Sequence, residues 1–293
     1  MEPAEYCQQT EKESASDLEG FSATMLQLSL WKLYQSGDHT DLDVICGDRV
    51  FKVHKAIVCS QSSFFAAACS GYFKEGVEAK VDLSDDAPCI LERFFQFVYL
   101  GNYSDGEHFD DLPAVPALLS SIEVSQEFEK TFEFSTPICA DTPEDTDFNP
   151  EESPAKHQAS EPLEYDSDFS HASLDKCIHE DNYLVKYPIG LFTSLRMYLI
   201  ADKYGVPALK LLAGQRFIRT AILHWTTYED FPAVIDELFS STPSSDRLRH
   251  FIYSLIAEDY RSQASLRERL RPLVEKHVGF AIGLLDCLVA RNC

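Results

Sequence analysis

The sequence lacks most of the features that mark enzymes and membrane proteins. It has no Gly-rich phosphate loop, no His-Glu-x-x-His and no Gly-x-Ser-x-Gly, so no common catalytic motif is present. No apolar run approaches the roughly 20 residues that a membrane-spanning helix needs. The first residues carry neither the basic nor the apolar part of a secretion signal. We therefore expect a cytoplasmic or nuclear protein that is not an enzyme and does not enter a membrane.

The cysteines do not form a recognisable metal or disulfide pattern. There are nine, an odd number, and no two of them are spaced as Cys-x-x-Cys. Cys46, Cys59 and Cys89 fall within apolar patterns, where a free thiol behaves as a small hydrophobic side chain. The sequence therefore predicts no zinc site, no other metal and no cofactor, and it favours a reducing compartment.

Basic residues are scarce in two segments, and these account for the net charge of −23. Residues 1–20 carry six acids and one base, and residues 104–185 carry 21 acids and three bases. The remaining chain holds equal numbers of each sign. Because no basic stripe is available to neutralise phosphates, direct binding to nucleic acid is disfavoured. We predict a disordered acidic N-terminus over 1–20 and a disordered acidic insert over 104–186, within which residues 112–124 are apolar enough to form a short helix.

Aromatic residues alternate with acids in one part of this insert. Phe128, Phe132 and Phe134 are interspersed with Glu129 and Glu133. Mixtures of this kind occur in disordered segments that fold onto partners, so the three phenylalanines are candidates for a partner-docking motif. The alternative is that the segment only keeps the protein solvated.

Residues 40–60 have the pattern of a hairpin that leads into a helix. Leu42 and Val44 alternate with polar or edge residues, as do Phe51 and Val53, and Gly47-Asp48 suits a two-residue turn. Further helices are predicted near 22–36, 63–69, 89–100, 191–204 and 207–220. The C-terminal region reads as helices near 228–239, 246–257 and 273–290.

Several short motifs together resemble the BTB/POZ domain. They are Asp41, Phe51-x-Val53-His54-Lys55, Ser63-Phe64-Phe65, Phe73-Lys74-Glu75, Val81-Asp82-Leu83, Phe97-x-Tyr99-x-Gly101 and Ala201-Asp202-Lys203-Tyr204. The resemblance implies an α+β fold, a small mixed sheet flanked by α-helices and followed by an all-α C-terminal extension. It divides the domain into a first part, 21–103, and a second part, 187–222, with a helical region over 223–293. The arrangement after the insert is similar to that of BTB proteins from filamentous fungi.

The resemblance also implies candidate sites for protein contacts. Leu26, Leu30, Leu33, Asp41 and Lys55 match positions that line the interface of BTB dimers, so the partner would be a second copy or another BTB protein. Alternatively, Asp41 and Lys55 only solvate the edge of the hairpin.

A second implied site concerns ubiquitin ligases. Phe73 and Glu75 resemble the hydrophobic-x-Glu signature with which many BTB adaptors bind cullins, and residues 223–293 would widen that contact. The same three residues also occur in BTB domains without a cullin partner. A different function remains open, that of a nuclear transcriptional cofactor whose acidic-aromatic insert recruits partners.

Overall fold

A three-stranded sheet lies near the start of the computed structural model, which describes residues 25–71, 73–105, 112–133 and 189–290. The strands are β1 (Leu42–Cys46), β2 (Arg49–Val53) and β3 (Lys80–Asp82). β1 is central, antiparallel to β2 and parallel to β3. Gly47 takes a φ of 58° in the turn between β1 and β2, a conformation that glycine adopts without a Cβ clash. The predicted hairpin is confirmed.

Five helices surround this sheet. They are α1 (25–36), α2 (Lys55–Gln61), α3 (Ser63–Ala68), α4 (Lys74–Glu78) and α5 (Pro88–Leu100). α5 is the central one, and its side chains are buried almost all round, including Phe94, Phe95 and Phe97. Its ends follow from the sequence, since Pro88 suits the first helical position and Gly101 closes the helix with a φ of 78°.

Four further helices complete the domain. α6 (Val115–Leu118) and α7 (Ser121–Thr131) precede the gap in the described residues, and α8 (Ile189–Lys203) and α9 (Pro207–His224) follow it. α8 packs on α5, and α9 packs on α7 and α8. The Ser62 hydroxyl donates to the carbonyl oxygen of Tyr204 at 2.6 Å, and Lys203 Nζ lies 2.7 Å from Asp86. The chain on the two sides of the gap therefore shares one hydrophobic core.

A buried arginine fastens α9 to the residues that follow α5. Arg216 donates to the carbonyl oxygen of Tyr103 and to Asn102 Oδ1, both at 2.7 Å. Its guanidinium also lies 3.5 Å from the carboxylate of Asp105, and both side chains are buried. Because an unpaired charge would be costly in this interior, the cluster stabilises the docking of α9 only while it stays complete.

Four helices form the C-terminal region. They are α10 (Phe231–Ser241), α11 (Arg247–Ser262), α12 (Ala264–Lys276) and α13 (Val278–Ala290). α10 packs on α8, and α11 packs on α9, so the extension continues the core of the domain. The predicted fold, α+β with an all-α extension, is confirmed.

Residues 112–133 differ from the predicted disordered insert. They form α6 and α7, and α7 begins with a capping box in which Ser120 and Glu123 satisfy each other's backbone N–H groups. Phe128 and Phe132 lie one helical turn apart and pack against the core, which explains the order of this segment. The predicted N-terminal segment 1–20, residues 106–111 and the rest of the insert from 134 lie outside the described residues.

Candidate functional site

Helix α1 divides the predicted leucine stripe between the core and the surface. Leu30 packs against the core together with Trp31 and Tyr34, and the ring of Tyr34 lies 4.7 Å from that of Tyr99. Leu26, by contrast, is 61% exposed. The aromatic side chains therefore fix α1 on the domain, and the end of the helix that carries Leu26 faces outwards. Leu33 is half-buried.

Asp41 and Lys55 lie close together, but each has a structural partner. The Asp41 carboxylate accepts the backbone N–H of Lys55 at 2.7 Å, at the first residue of α2. A carboxylate at this position satisfies a free N–H and complements the helix dipole. The Lys55 ammonium lies 3.4 Å from the carbonyl oxygen of Gly76 in α4. The pair thus connects β1, α2 and α4, and its predicted role in a dimer stays a prediction.

His54 and Tyr99 form a buried pair behind these residues. Tyr99 Oη accepts the backbone N–H of His54 at 2.8 Å and also lies 2.8 Å from His54 Nδ1. His54 Nε2 lies 2.7 Å from the carbonyl oxygen of Asp38, so this nitrogen carries the proton. Burial raises the pKa of Tyr99 to about 12, which keeps its hydroxyl protonated and available to donate to Nδ1. His54 is therefore a structural histidine, and sequence analysis did not identify Tyr99 as its partner.

Helix α4 presents two apolar side chains to solvent. Phe73, the residue before its first turn, is 55% exposed, and Val77 is 75% exposed. Because they are four residues apart, they lie on the same side of the helix. Glu75 lies between these two residues in the sequence and is half-buried. The Lys74 ammonium lies 3.7 Å from the Glu78 carboxylate. Sequence analysis identified Phe73 and Glu75 but missed Val77, although its spacing from Phe73 was a usable signal.

The predicted docking phenylalanines do not form one exposed motif. Phe132 is only 2% exposed, and its ring lies 4.5 Å from that of Phe128. Phe128 is partly buried, and the cationic ends of Lys210 and Arg247 lie over its ring. Phe134 lies outside the described residues. Phe132 is therefore a core residue in this structure, and the prediction that it docks a partner is corrected.

The described part of the chain offers little for metal or nucleophilic chemistry. No group of three or more His, Cys, Asp or Glu side chains there is placed to hold a metal ion. Burial and the neighbouring Cys69 thiol raise the pKa of Cys59 to about 11, so this thiol is protonated at neutral pH. An open groove on α9 is lined mainly by apolar side chains, those of Ile218, Ile222 and Leu223. Among the described helices, none is long and apolar enough to cross a membrane.

Comparisons with known proteins agree on the identity of the first part of the chain. The model of the BTB/POZ domain family matches residues 30–134. Kelch-like protein 38 of Homo sapiens is 35% identical over 81 residues, which cover 28% of this chain and 14% of that protein. Kelch-like protein 15 of Gallus gallus is 29% identical over 91 residues, which cover 30% of this chain and 19% of that protein. Residues 30–134 therefore form a BTB/POZ domain, which is a protein-interaction module.

Proposed function

We propose that this BTB/POZ protein is an adaptor that pairs with a second BTB domain through α1 and presents α4 to a cullin. The observation that carries the proposal is the exposure of Phe73 and Val77, 55% and 75%, on one side of α4. Both similar proteins are Kelch-like BTB proteins. The chain matches only a small share of their length, so the adaptor function is inferred from the BTB domain and its exposed surfaces.

The two side chains of α4 suit a protein interface. Exposed apolar area costs roughly 25 cal/mol per Å2 relative to burial, so a partner that covers both side chains gains binding free energy. Large apolar residues surrounded by polar groups are typical centres of interfaces. Lys74, Glu75 and Glu78 supply such polar surroundings, and Glu75 offers a carboxylate that can orient the partner.

The structure also holds α4 in a fixed position. A Cβ at Gly76 would meet the carbonyl oxygen of Ser70 at 2.3 Å, so the backbone of α4 packs directly on the preceding turn. Ala79 ends the helix with a φ of 52°, and Lys55 reaches the carbonyl oxygen of Gly76. A surface held in this way loses little conformational entropy on binding.

The exposed end of α1 supports the self-association part of the proposal. Met25 is 51% exposed and Leu26 is 61% exposed, while the other face of α1 is fixed by Trp31 and Tyr34. Two such helix ends can bury their side chains against each other without changing the domain. Leu30 packs against the core, so its substitution would not separate dimerisation from folding.

Titration against purified N-terminal domains of cullins tests the adaptor function. Phe73→Ala should weaken binding by roughly 30-fold, the equivalent of about 2 kcal/mol for a central interface residue. Glu75→Ala should weaken it as well. Val115→Ala is the matched control, because Val115 is 69% exposed and far along the chain from α4. Equal affinity of the Phe73→Ala and Val115→Ala variants, or no binding by the parent chain to any cullin, would contradict the cullin assignment.

Sedimentation of the full chain tests self-association separately. Leu26→Asp should shift the chain from dimer to monomer, and at a dilution where the parent is also monomeric the two chains should melt at the same temperature, since Leu26 is mostly exposed. A parent chain that is monomeric up to high micromolar concentration would refute pairing through α1. The cullin titration would still stand in that case.

The nuclear cofactor function has less support from the described residues. It relied on three phenylalanines, of which Phe132 is buried and Phe128 partly so. Only Phe134 and the acidic residues after it remain as candidates, and these lie outside the described residues. Transcriptional activation by a tethered segment of residues 134–188 would revive that function.

A further inference from the structure

Helix α13 is apolar on two opposite faces. Phe280 and Leu284 are buried against the rest of the protein. On the outer face, Val278, Ile282, Leu285 and Val289 are 69%, 55%, 59% and 56% exposed. A helix that is apolar all round is normally covered on all sides. Nothing in the described residues covers the outer half of α13.

The orientation of α13 is fixed, so the outer face cannot turn inwards. A Cβ at Gly283 would lie 2.2 Å from the ring of Tyr253 on α11, which shows how closely the two helices approach. The Tyr253 hydroxyl donates to the carbonyl oxygen of Gly279 at 3.0 Å. These contacts set the rotation of α13 about its axis, and they leave the four exposed side chains in one line.

The spacing of the four side chains is symmetric. They are four, three and four residues apart, which is the alternation of a helix-pairing seam. The order of the steps is the same in both directions, so the line can pair with an antiparallel copy of itself. Val278 would then lie opposite Val289, and Ile282 opposite Leu285. This self-complementarity is what a two-fold interface requires.

We propose that α13 pairs antiparallel with α13 of a second copy of this chain. The only charged side chain of α13 does not oppose the pairing. With a rise of 1.5 Å per residue, Asp286 and its copy are offset by about 7.5 Å along the axis. Gly279, two helical turns before Asp286, leaves space on the same side of α13, because the nearest atom to a Cβ there is 3.9 Å away.

The area of the contact indicates how strong it is. Complete burial of an aliphatic side chain removes roughly 60–120 Å2 of apolar surface from water. Four such side chains, each a little more than half exposed, supply roughly 150–300 Å2 per copy. A stable interface buries about 800 Å2 per partner. The α13 contact is therefore concentration-dependent, and it becomes strong only where a second contact, such as the proposed α1 pairing, brings copies together.

Cysteine cross-linking of the full chain tests the pairing and its direction. Val278→Cys and Val289→Cys chains carry tags of different length and are oxidised mildly, alone and as a mixture. The antiparallel register predicts a cross-linked product only in the mixture. In either variant alone, the two equivalent cysteines are about 16 Å apart along the axis, beyond the reach of a disulfide. The parent chain controls for its own nine cysteines.

Each outcome of this experiment decides the proposal. Ile282→Lys with Leu285→Lys should lower the yield in the mixture at least tenfold, while Leu223→Lys, at an equally exposed residue of α9, should not. A product within one variant alone means a different register and overturns the proposal. No product in the mixture means that another segment or another protein covers α13, which also overturns it. With Leu26→Asp the cross-link should still form at high protein concentration and should disappear on dilution sooner than with the parent, so failure of the α1 pairing is recognised separately.

Discussion

Two short stretches of this chain combine phenylalanine with glutamate, and the fold uses them in opposite ways. In residues 73–78 the phenylalanine is exposed, with Phe73 at 55%. In residues 128–133 the phenylalanines pack into the core, with Phe132 at 2% exposure and Phe128 partly buried. Both stretches were candidates for partner contacts on sequence grounds. Composition alone therefore does not separate a docking surface from a core element.

The difference lies in what packs on each helix. α4 has five residues and packs against β3, and nothing in the described chain covers Phe73. α7 has eleven residues and lies along α9, where Gly214 makes room for the ring of Phe132. A longer, capped helix with aromatic residues one turn apart can bury a complete face. The short helix α4 cannot, so its apolar residues remain available to a partner.

The largest expected effect is on stability. Phe132→Ala should lower the free energy of unfolding by about 3–5 kcal/mol, because it removes a buried ring and leaves a cavity. Phe73→Ala should change it by less than about 0.5 kcal/mol, as is usual for surface positions. Chemical denaturation of the two variants measures both values. Similar losses for the two variants would mean that the comparison between α4 and α7 is mistaken.

The second prediction is that substitutions at Phe132 and Gly214 have coupled effects on stability. A Cβ at Gly214 would approach Phe132 Cζ to 2.9 Å. Gly214→Ala should therefore destabilise the parent by about 1 kcal/mol, the result of overpacking reduced by the better helix propensity of alanine. In the Phe132→Ala background the same change should become stabilising, because the methyl group enters the cavity. A double-mutant cycle measures this reversal, and additive effects would show that the two residues do not share the contact.

Much of the fold around α4 was predictable because its signals are local. The alternation of β1 and β2, Gly47 in the turn, Pro88 and Gly101 at the ends of α5 each act within a few residues. The same locality made Phe73 and Glu75 recognisable as a motif. Local signals also sufficed for α8 and α9, because Gly205 follows the end of α8 and Pro207 is the first residue of α9.

What could not be predicted depends on contacts between distant parts of the chain. The burial of Phe132 requires α9, which follows only after the long acidic segment. Residues 273–290 were predicted as one helix, but the structure ends α12 at Lys276 and starts α13 at Val278. His277 lies between them with extended backbone, and its Nε2 is 2.6 Å from Asp236 Oδ1 on α10. No sequence pattern within residues 273–290 predicts the contact between His277 and Asp236.

A smaller effect concerns the start of α7. Ser120 accepts the backbone N–H of Glu123, while the residue at the equivalent position of α4, Phe73, provides no side-chain cap. Ser120→Ala should cost about 0.5–1 kcal/mol of stability, the usual value for a lost helix cap. Ser121→Ala, one residue later, is the control and should be neutral. Denaturation curves give the loss in free energy of unfolding for each variant. Equal losses for Ser120→Ala and Ser121→Ala would show that the cap does not hold α7 in place.

The smallest expected effect is a pH dependence of the stability that Glu123 contributes at the start of α7. Hydrogen bonds from the Ser120 hydroxyl and backbone lower the pKa of Glu123 below its usual value. A carboxylate whose pKa is lower in the folded state stabilises that state above its unfolded pKa, about 4.3, and loses this contribution as the pH falls through the folded pKa. The stability difference between the parent and Glu123→Gln should therefore shrink on going from about pH 6 to about pH 2.5. A difference that stays constant over this range would mean that the Glu123 charge does not contribute to the cap, leaving the Ser120 hydroxyl as the part that distinguishes α7 from α4.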